Sequence, residues 1–276
     1  MMRALLPALL AFNVQAADVE PVKNAGPYVP SPQSVVADML RYADVNAKDF
    51  LIDLGSGDGR IVLTAAKVFG ARGFGVEIKE DLVKRANESA KEQGLGDRVR
   101  FMKQDLFKTD ISQATIITMY LLPDTVNLLK DKFISDLKPG TRIVSHDYPL
   151  TGWIPEKYVQ MDLEEKVAIS GVTTTLIYLY VVPAKVAGNW TVQMPPAVSR
   201  APATLSLRQQ LTRVSGSARI DGRDVALEDV VLRGDRLTFR FAGRKGEFSG
   251  QVRGNAIEGM FESGGSKSAW SAALKG

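Results

Sequence analysis

The segment Phe50-Leu51-Ile52-Asp53-Leu54-Gly55-Ser56-Gly57-Asp58-Gly59-Arg60-Ile61 constrains the fold more than any other in this 276-residue chain. An apolar run of strand length passes through three glycines into a helical pattern. Glycine admits positive φ and lets a ligand approach the backbone where a Cβ would stand. The helix that follows offers free N–H groups at its start. A dinucleotide fingerprint needs glycine at position 60, where Arg60 stands. Asp53 and Asp58 would repel a pyrophosphate and suit a ligand with a cationic group near the turn.

The surrounding pattern alternates strand and helix. Strands are expected at Phe50–Leu54, Gly73–Ile78, Val99–Met102, Ala114–Leu121 and Thr141–His146. Helices are expected at Arg60–Phe69, Lys79–Gln93 and Asp124–Leu137, the last two stopped by glycine and by Pro139-Gly140. A long apolar hairpin, Lys157–Ile169 with Val172–Val182, closes the series. Such alternation builds an α/β, mostly parallel sheet covered on both faces. After Pro183 the helical period stops. Short alternating runs at Thr204–Leu207, Ser215–Ile220, Leu237–Phe241, Phe248–Val252 and Ala256–Phe261 point to a small all-β module, an antiparallel sandwich or barrel. Trp190 falls in its first strand and Trp270 in its last, with the proline-rich stretch 194–202 inside it. The division expected is therefore 27–183 and 188–276.

Two further acids stand at strand ends. Glu77 lies some 20 residues after the glycine turn, where an acidic side chain can accept both ribose hydroxyls. Asp105 follows the third strand, placed to meet an adenine edge. A glycine corner and three strand-end acids describe a nucleoside ligand with a cationic part. S-adenosylmethionine has both.

Asp53-Leu-Gly-Ser-Gly-Asp-Gly59, Glu77 and Asp105 resemble the motifs of the class I, seven-strand, Rossmann-like S-adenosylmethionine-dependent methyltransferases. Pro27-Tyr28-Val29-Pro30-Ser31 and Tyr148-Pro149-Leu150-Thr151-Gly152-Trp153 narrow the resemblance to the mitochondrial protein-lysine methyltransferases of the ATP synthase c-subunit and adenine nucleotide translocase type. It spans about 27–183. It implies an antiparallel hairpin at one sheet edge, and Asp53, Gly55, Ser56, Gly57, Asp58 and Gly59 lining the cofactor. Glu77 would hold ribose, Asp105 would meet adenine, and Tyr28 and Pro30 would close over the methionine end. The implied function is methyl transfer to a protein lysine amine. The alternatives are a small-molecule methyltransferase or an exported S-adenosylmethionine-binding protein without transfer.

Displacement at a sulfonium needs alignment and dryness more than a nucleophilic side chain. A lysine acceptor must shed its proton, which desolvation favours. Tyr28 and Tyr120 are the aromatic candidates to face a sulfonium or an ammonium, and His146, the single histidine, is the candidate base. The Asn/Asp-Pro-Pro-Tyr signature of base-amine methyltransferases is replaced by Met119-Tyr120-Leu121-Leu122-Pro123, so a nucleic-acid substrate is not expected. Absence of cysteine excludes disulfide scaffolds and thiolate-built metal sites.

Arg3, the apolar run Ala4–Phe12 and Val14-Gln15-Ala16 before Ala17 have the layout of a secretory signal at 1–16, which would make the protein exported or periplasmic; the alternative is a cytoplasmic protein with an apolar N-terminus. No later stretch is long and apolar enough for a transmembrane helix. The net charge of +4 is unevenly placed. From Gly188 onward 13 Lys and Arg face 8 Asp and Glu, whereas the first 187 residues carry −1. The basic character belongs to the β module and suits an anionic partner there.

Overall fold

A computed structural model describes residues 27–276. The expected signal at 1–16 lies outside the described residues.

The first half builds one seven-stranded sheet: β1 (Phe50–Leu54), β2 (Arg72–Glu77), β3 (Val99–Lys103), β4 (Ile116–Met119), β5 (Arg142–His146), β6 (Lys157–Asp162) and β7 (Thr174–Val181). Their order is β3-β2-β1-β4-β5-β7-β6. The first five run parallel, and β7 lies antiparallel between β5 and β6. The chain steps outward from β1 to β3 and then returns to β4 on the other side of β1. The crevice beyond the carboxyl ends of β1 and β4 is therefore the topological switch point, where open sheets of this kind bind ligands.

Helices α1 (Gln33–Tyr42), α2 (Arg60–Phe69) and α3 (Glu80–Glu92) cover one face. Val35, Val36, Met39 and Leu40 make the apolar stripe of α1, and all four are fully buried. At about 1.5–3 kcal/mol for each large side chain, that burial outweighs the lack of a side-chain N-cap. Glu80 and Asp81 in the first turn of α3 complement its dipole. The opposite face is covered by α4 (Pro123–Leu128) and α5 (Lys130–Asp136) with the segments around Leu150 and Trp153.

Three sequence expectations change. The single helix at Asp124–Leu137 is two helices meeting at Leu129. There, Asn127 bonds the Pro123 carbonyl and accepts from the Thr151 N–H, while Lys130 reaches the Thr151 carbonyl, so a neighbouring loop ties down the bend. The strand expected at Ala114–Leu121 is only Ile116–Met119, because the Ala114 N–H is taken by the Ile111 carbonyl in a turn. The hairpin is interrupted: β6 stops at Asp162, and α6 (Glu164–Ser170) intervenes before β7. Glu164 and Glu165 suit its first turn, and Gly171 closes it in the left-handed conformation.

The second half is a closed barrel of eight antiparallel strands: β8 (Gly188–Gln193), β9 (Ala203–Gln210), β10 (Arg213–Ile220), β11 (Arg223–Arg233), β12 (Arg236–Phe241), β13 (Glu247–Arg253), β14 (Ala256–Ser263) and β15 (Ser266–Leu274). Each strand pairs with the next, and β15 returns to pair with β8. Trp190, Phe239, Phe248 and Trp270 fill the interior. Sequence alternation misses β11 because its register shifts between Glu228 and Val231, with Asp229 at φ 50°, so its two halves alternate out of phase.

Hairpin tips dock the barrel onto the sheet. Leu211, between β9 and β10, packs on the core beneath α4 and α5. The Ala184 N–H donates to the Gly234 carbonyl between β11 and β12, and Arg233 pairs with Glu156 at 2.9 Å. Gly234 faces Gly140 and Val181, at the start of β5 and the end of β7. The barrel is thus attached at the end of the sheet opposite the crevice.

Candidate active site

Strand β1 delivers Asp53 and then turns through Gly55, Gly57 and Gly59, all at positive φ. The Gly55 and Ser56 N–H groups both donate to the Val76 carbonyl, so the turn is anchored on β2. Glu77, at the end of β2, holds the same turn from its side chain: Oε2 accepts from the Gly57 N–H at 3.1 Å, and Oε1 accepts from the Ile78 and Lys79 N–H groups. Asp105 caps a single 3-10 turn by accepting from the Phe107 N–H.

One cavity gathers these residues. Tyr28, Pro30, Asp53, Gly55, Ser56, Gly57, Asp58, Glu77, Asp105 and Tyr120 all line it. Gly59 and His146 do not line it. Gly59 is a packing position: a Cβ there would stand 2.5 Å from the Phe101 ring and 3.0 Å from Ala86, so glycine lets α2 sit tightly over β3 and α3. His146 is fully buried behind Tyr120, the two ring centroids 4.0 Å apart.

The floor is electrostatically unusual. Asp53 is buried, and its Oδ1 accepts from the Thr118 hydroxyl at 2.7 Å. Burial lifts its carboxyl to about 7; the Thr118 bond opposes the rise, while Glu77 and Asp58 add to it. A cation placed in the cavity would favour the ionised form. Ser56 Oγ is also buried and unpartnered, a polar atom ready for a ligand.

The lid is built from the segment before α1. Tyr28 lies against Gly57 so closely that any side chain at 57 would meet its ring. The Tyr28 hydroxyl bonds to Asp58, and burial is the main reason its pKa is raised. Arg60 forks onto Asp58, with Nη2 to Oδ2 at 2.7 Å, and its Nη1 donates to the Ser31 carbonyl at 2.8 Å. Ser31 Oγ is in turn hydrogen-bonded to His146 Nδ1 at 2.8 Å. Sequence pattern does not single out Arg60 or Ser31, although both sit in segments that it does.

Beyond Tyr120 lies a buried charge pair. Lys166 of α6 bonds Asp147 at 2.7 Å and also donates to the Thr174 carbonyl. Asp147 bonds the Tyr120 hydroxyl and accepts from the Leu176 N–H at 3.1 Å. Burial raises the Tyr120 pKa, so its hydroxyl stays protonated at neutral pH. Burial likewise pushes His146 down to about 4, which leaves it a neutral imidazole. Asp147 adopts φ 62°, and no pattern in the sequence announces that.

Comparison with known proteins agrees with this geometry. A family model described as the ANTKMT methyltransferase domain matches residues 53–157. A protein-lysine N-methyltransferase of Saccharolobus islandicus (strain REY15A) is 40% identical over 157 residues, covering 56% of this chain and 93% of that protein. An adenine nucleotide translocase lysine N-methyltransferase of Mus musculus is 36% identical over 105 residues, covering 38% of this chain and 46% of that one. Among solved structures, an RNA methyltransferase from Salinibacter ruber in complex with S-adenosyl-L-homocysteine is 46% identical, covers 57% of this chain and 96% of its own, and has a TM-score of 0.52. S-adenosyl-L-homocysteine is the methyl donor less its methyl group, and the cavity has the cationic preference, strand-end acids and open glycine turn that the donor requires. The chain belongs to the S-adenosylmethionine-dependent methyltransferases, in the family of the protein-lysine N-methyltransferase of Saccharolobus islandicus.

Proposed function

We propose that this enzyme methylates the side-chain amine of a protein lysine. The observation that carries the reading is the pairing of a buried carboxylate floor at Asp53 with an aromatic wall of Tyr28 and Tyr120 in one cavity. Likeness to the Saccharolobus islandicus protein-lysine N-methyltransferase, over 93% of its length, supports it.

When bound, S-adenosylmethionine supplies an electrophilic methyl on a positively charged sulfur. Asp53, Glu77 and Asp105 are assigned to hold it, with Ser56 Oγ and the Gly55–Gly57 backbone closing around it. Glu77 would face the ribose and Asp105 the adenine. Tyr28 and Pro30 cover the methionine end and exclude water. The incoming amine must arrive neutral, and a dry aromatic wall favours that form over the ammonium. Its lone pair would form the N–C bond as the donor's C–S bond breaks, with Tyr28, Pro30 and Tyr120 keeping the two aligned and dry. Tyr120 is the assigned contact for the amine, with its hydroxyl held by Asp147. His146 is a positioning residue that supports the Tyr120 ring from behind and ties Ser31 of the lid.

RNA is the second reading, because the Salinibacter ruber structure is described as an RNA methyltransferase. Strong RNA binding draws on phosphate neutralisation by Lys and Arg. The first 187 residues carry 22 Lys and Arg against 23 Asp and Glu, which gives that term little support. Incubation with methyl-labelled S-adenosylmethionine and a whole-cell extract, followed by protease or ribonuclease, separates the two. The proposal expects label in protein, mapped to lysine by mass spectrometry; ribonuclease-sensitive label would overturn it.

A further inference from the structure

The segment ahead of α1 is short and stiff. Pro27, Pro30 and Pro32 fix their own φ, and Val29 and Ser31 are restricted by the prolines that follow them. Such a segment swings as a strap and does not fold up on itself. Its α1 end is pinned: Gln33 bonds Thr64 of α2 at 2.9 Å, Ser34 bonds Glu165 of α6, and Val35 and Val36 are fully buried. Residues 27–31 all line the cofactor cavity, so the strap forms one of its walls.

Two ties hold the strap down, and they come from opposite sides of the site. On the donor side, Arg60 is the first residue of α2, where a cation opposes the positive end of the helix dipole. Asp58 offsets that by accepting from Nε and Nη2 at 3.0 and 2.7 Å, and the remaining arm, Nη1, donates to the Ser31 carbonyl at 2.8 Å. A planar guanidinium serves both partners at once; an ammonium has no such fork. On the other side, Ser31 Oγ meets His146 Nδ1 at 2.8 Å. His146 is fully buried and does not line the cavity, but its ring lies against Tyr120, which does. Ser31 thus carries both ties, its carbonyl to the glycine turn and its hydroxyl to the ring behind Tyr120.

We propose that Arg60 and Ser31 are positioning residues that make the strap a clasp. Closing it over the donor and setting the Tyr120 wall from behind are one movement, and Arg60 governs how fast the donor is exchanged. Lifting the strap takes the Ser31 hydroxyl from His146 and loosens the support of Tyr120, so the donor enters first and the acceptor second. The clasp rests on the donor site. Of the lysine reading it takes only the acceptor-facing place of Tyr120, and its test needs no acceptor, so that reading can fail while the clasp stands.

The test uses the full chain and S-adenosyl-L-homocysteine. Stopped-flow fluorescence gives association and dissociation rates, and calorimetry gives the affinity. R60Q removes a charge-assisted tie from the closed strap and is expected to quicken both rates about tenfold, with the affinity changed by less than about threefold. S31A removes one hydroxyl from the other tie and is expected to quicken both rates as well. Faster dissociation matched by an equal loss of affinity would make Arg60 an ordinary ligand contact and overturn the proposal, as would unchanged rates in either variant. His146 is the single histidine, so ring-15N labelling gives one imidazole to follow. Arg60 reaches that ring only through Ser31, yet R60Q is expected to carry the Nδ1 signal towards its position in S31A, and S-adenosyl-L-homocysteine to carry it back. A signal left at the parental position in R60Q would show two independent ties and no clasp.

Discussion

Asp53 is an ionisable side chain almost entirely buried, near the end of an apolar strand. Its carboxyl titrates near 7 in the folded chain and near 3.9 when unfolded, so the folded state holds more protons between those values. Stability of the cofactor-free protein therefore falls as pH rises through that window. Asp53→Asn cannot ionise and keeps an acceptor for Thr118. At pH 8 it should be more stable than the parent by about 4 kcal/mol, and at pH 4 nearly equal to it. S-adenosylmethionine favours the ionised form, so parental affinity should climb from pH 6 and level off above 7. D53N should bind at least about tenfold more weakly, with a flat profile. Thermal melts and calorimetry across pH measure both, and a flat parental profile would remove Asp53 from the site. Asp53, Gly55, Gly57, Glu77 and Asp105 are legible in sequence because each stands at or just past the end of a strand whose apolar pattern fixes its place. Asp147 and Lys166 are not, because their importance comes from meeting across 19 positions of chain.

α6 shows the same limit at the scale of an element. Val167 and Ile169 next to Val172 read as continuing strand, yet the segment coils because Lys166 must turn inward to Asp147. That pair fixes the strand-five exit, which in turn holds Tyr120 from the far side. Removing one partner of a buried pair leaves the other charge uncompensated. Lys166→Met should cost about 3–5 kcal/mol of stability. Neither Lys166 nor Asp147 lines the cofactor cavity. S-adenosylmethionine affinity should survive at a temperature where the variant is folded, while turnover falls. Denaturant melts paired with calorimetry and single-turnover rates make the distinction; weakened cofactor binding would show that α6 supports the wrong half of the site. By contrast α2 is legible to the residue, since the glycine turn starts it and Gly70, in the left-handed conformation, stops it.

Across the whole molecule, a parallel sheet and a closed barrel meet through a few hairpin tips. The change of pattern after Pro183 makes the two architectures visible in sequence. Barrel closure is not visible there, because it rests on pairing between the first and last strands. Gly234 is a tight point of the junction, at φ 57° with Gly140 and Val181 each 3.3 Å from where a Cβ would stand. Gly234→Val strains the backbone and pushes the surfaces apart. It should loosen docking without touching the crevice, so protease would cut near Lys185 faster while S-adenosylmethionine affinity holds. Unchanged cleavage would show that the other contacts suffice.

The pairing of β15 with β8 also sets an order of events during synthesis. The last strand of the sheet ends at Val181, so all seven can pair while the barrel is still being made. The barrel's first strand has to wait, one edge unpaired, until Ser266–Leu274 arrives. Long-range closure of that kind is slow, and an open edge invites wrong partners in the meantime. A finished sheet, presenting Gly140 and Val181 to the β11–β12 hairpin, gives the growing barrel a surface to fold against before it can close.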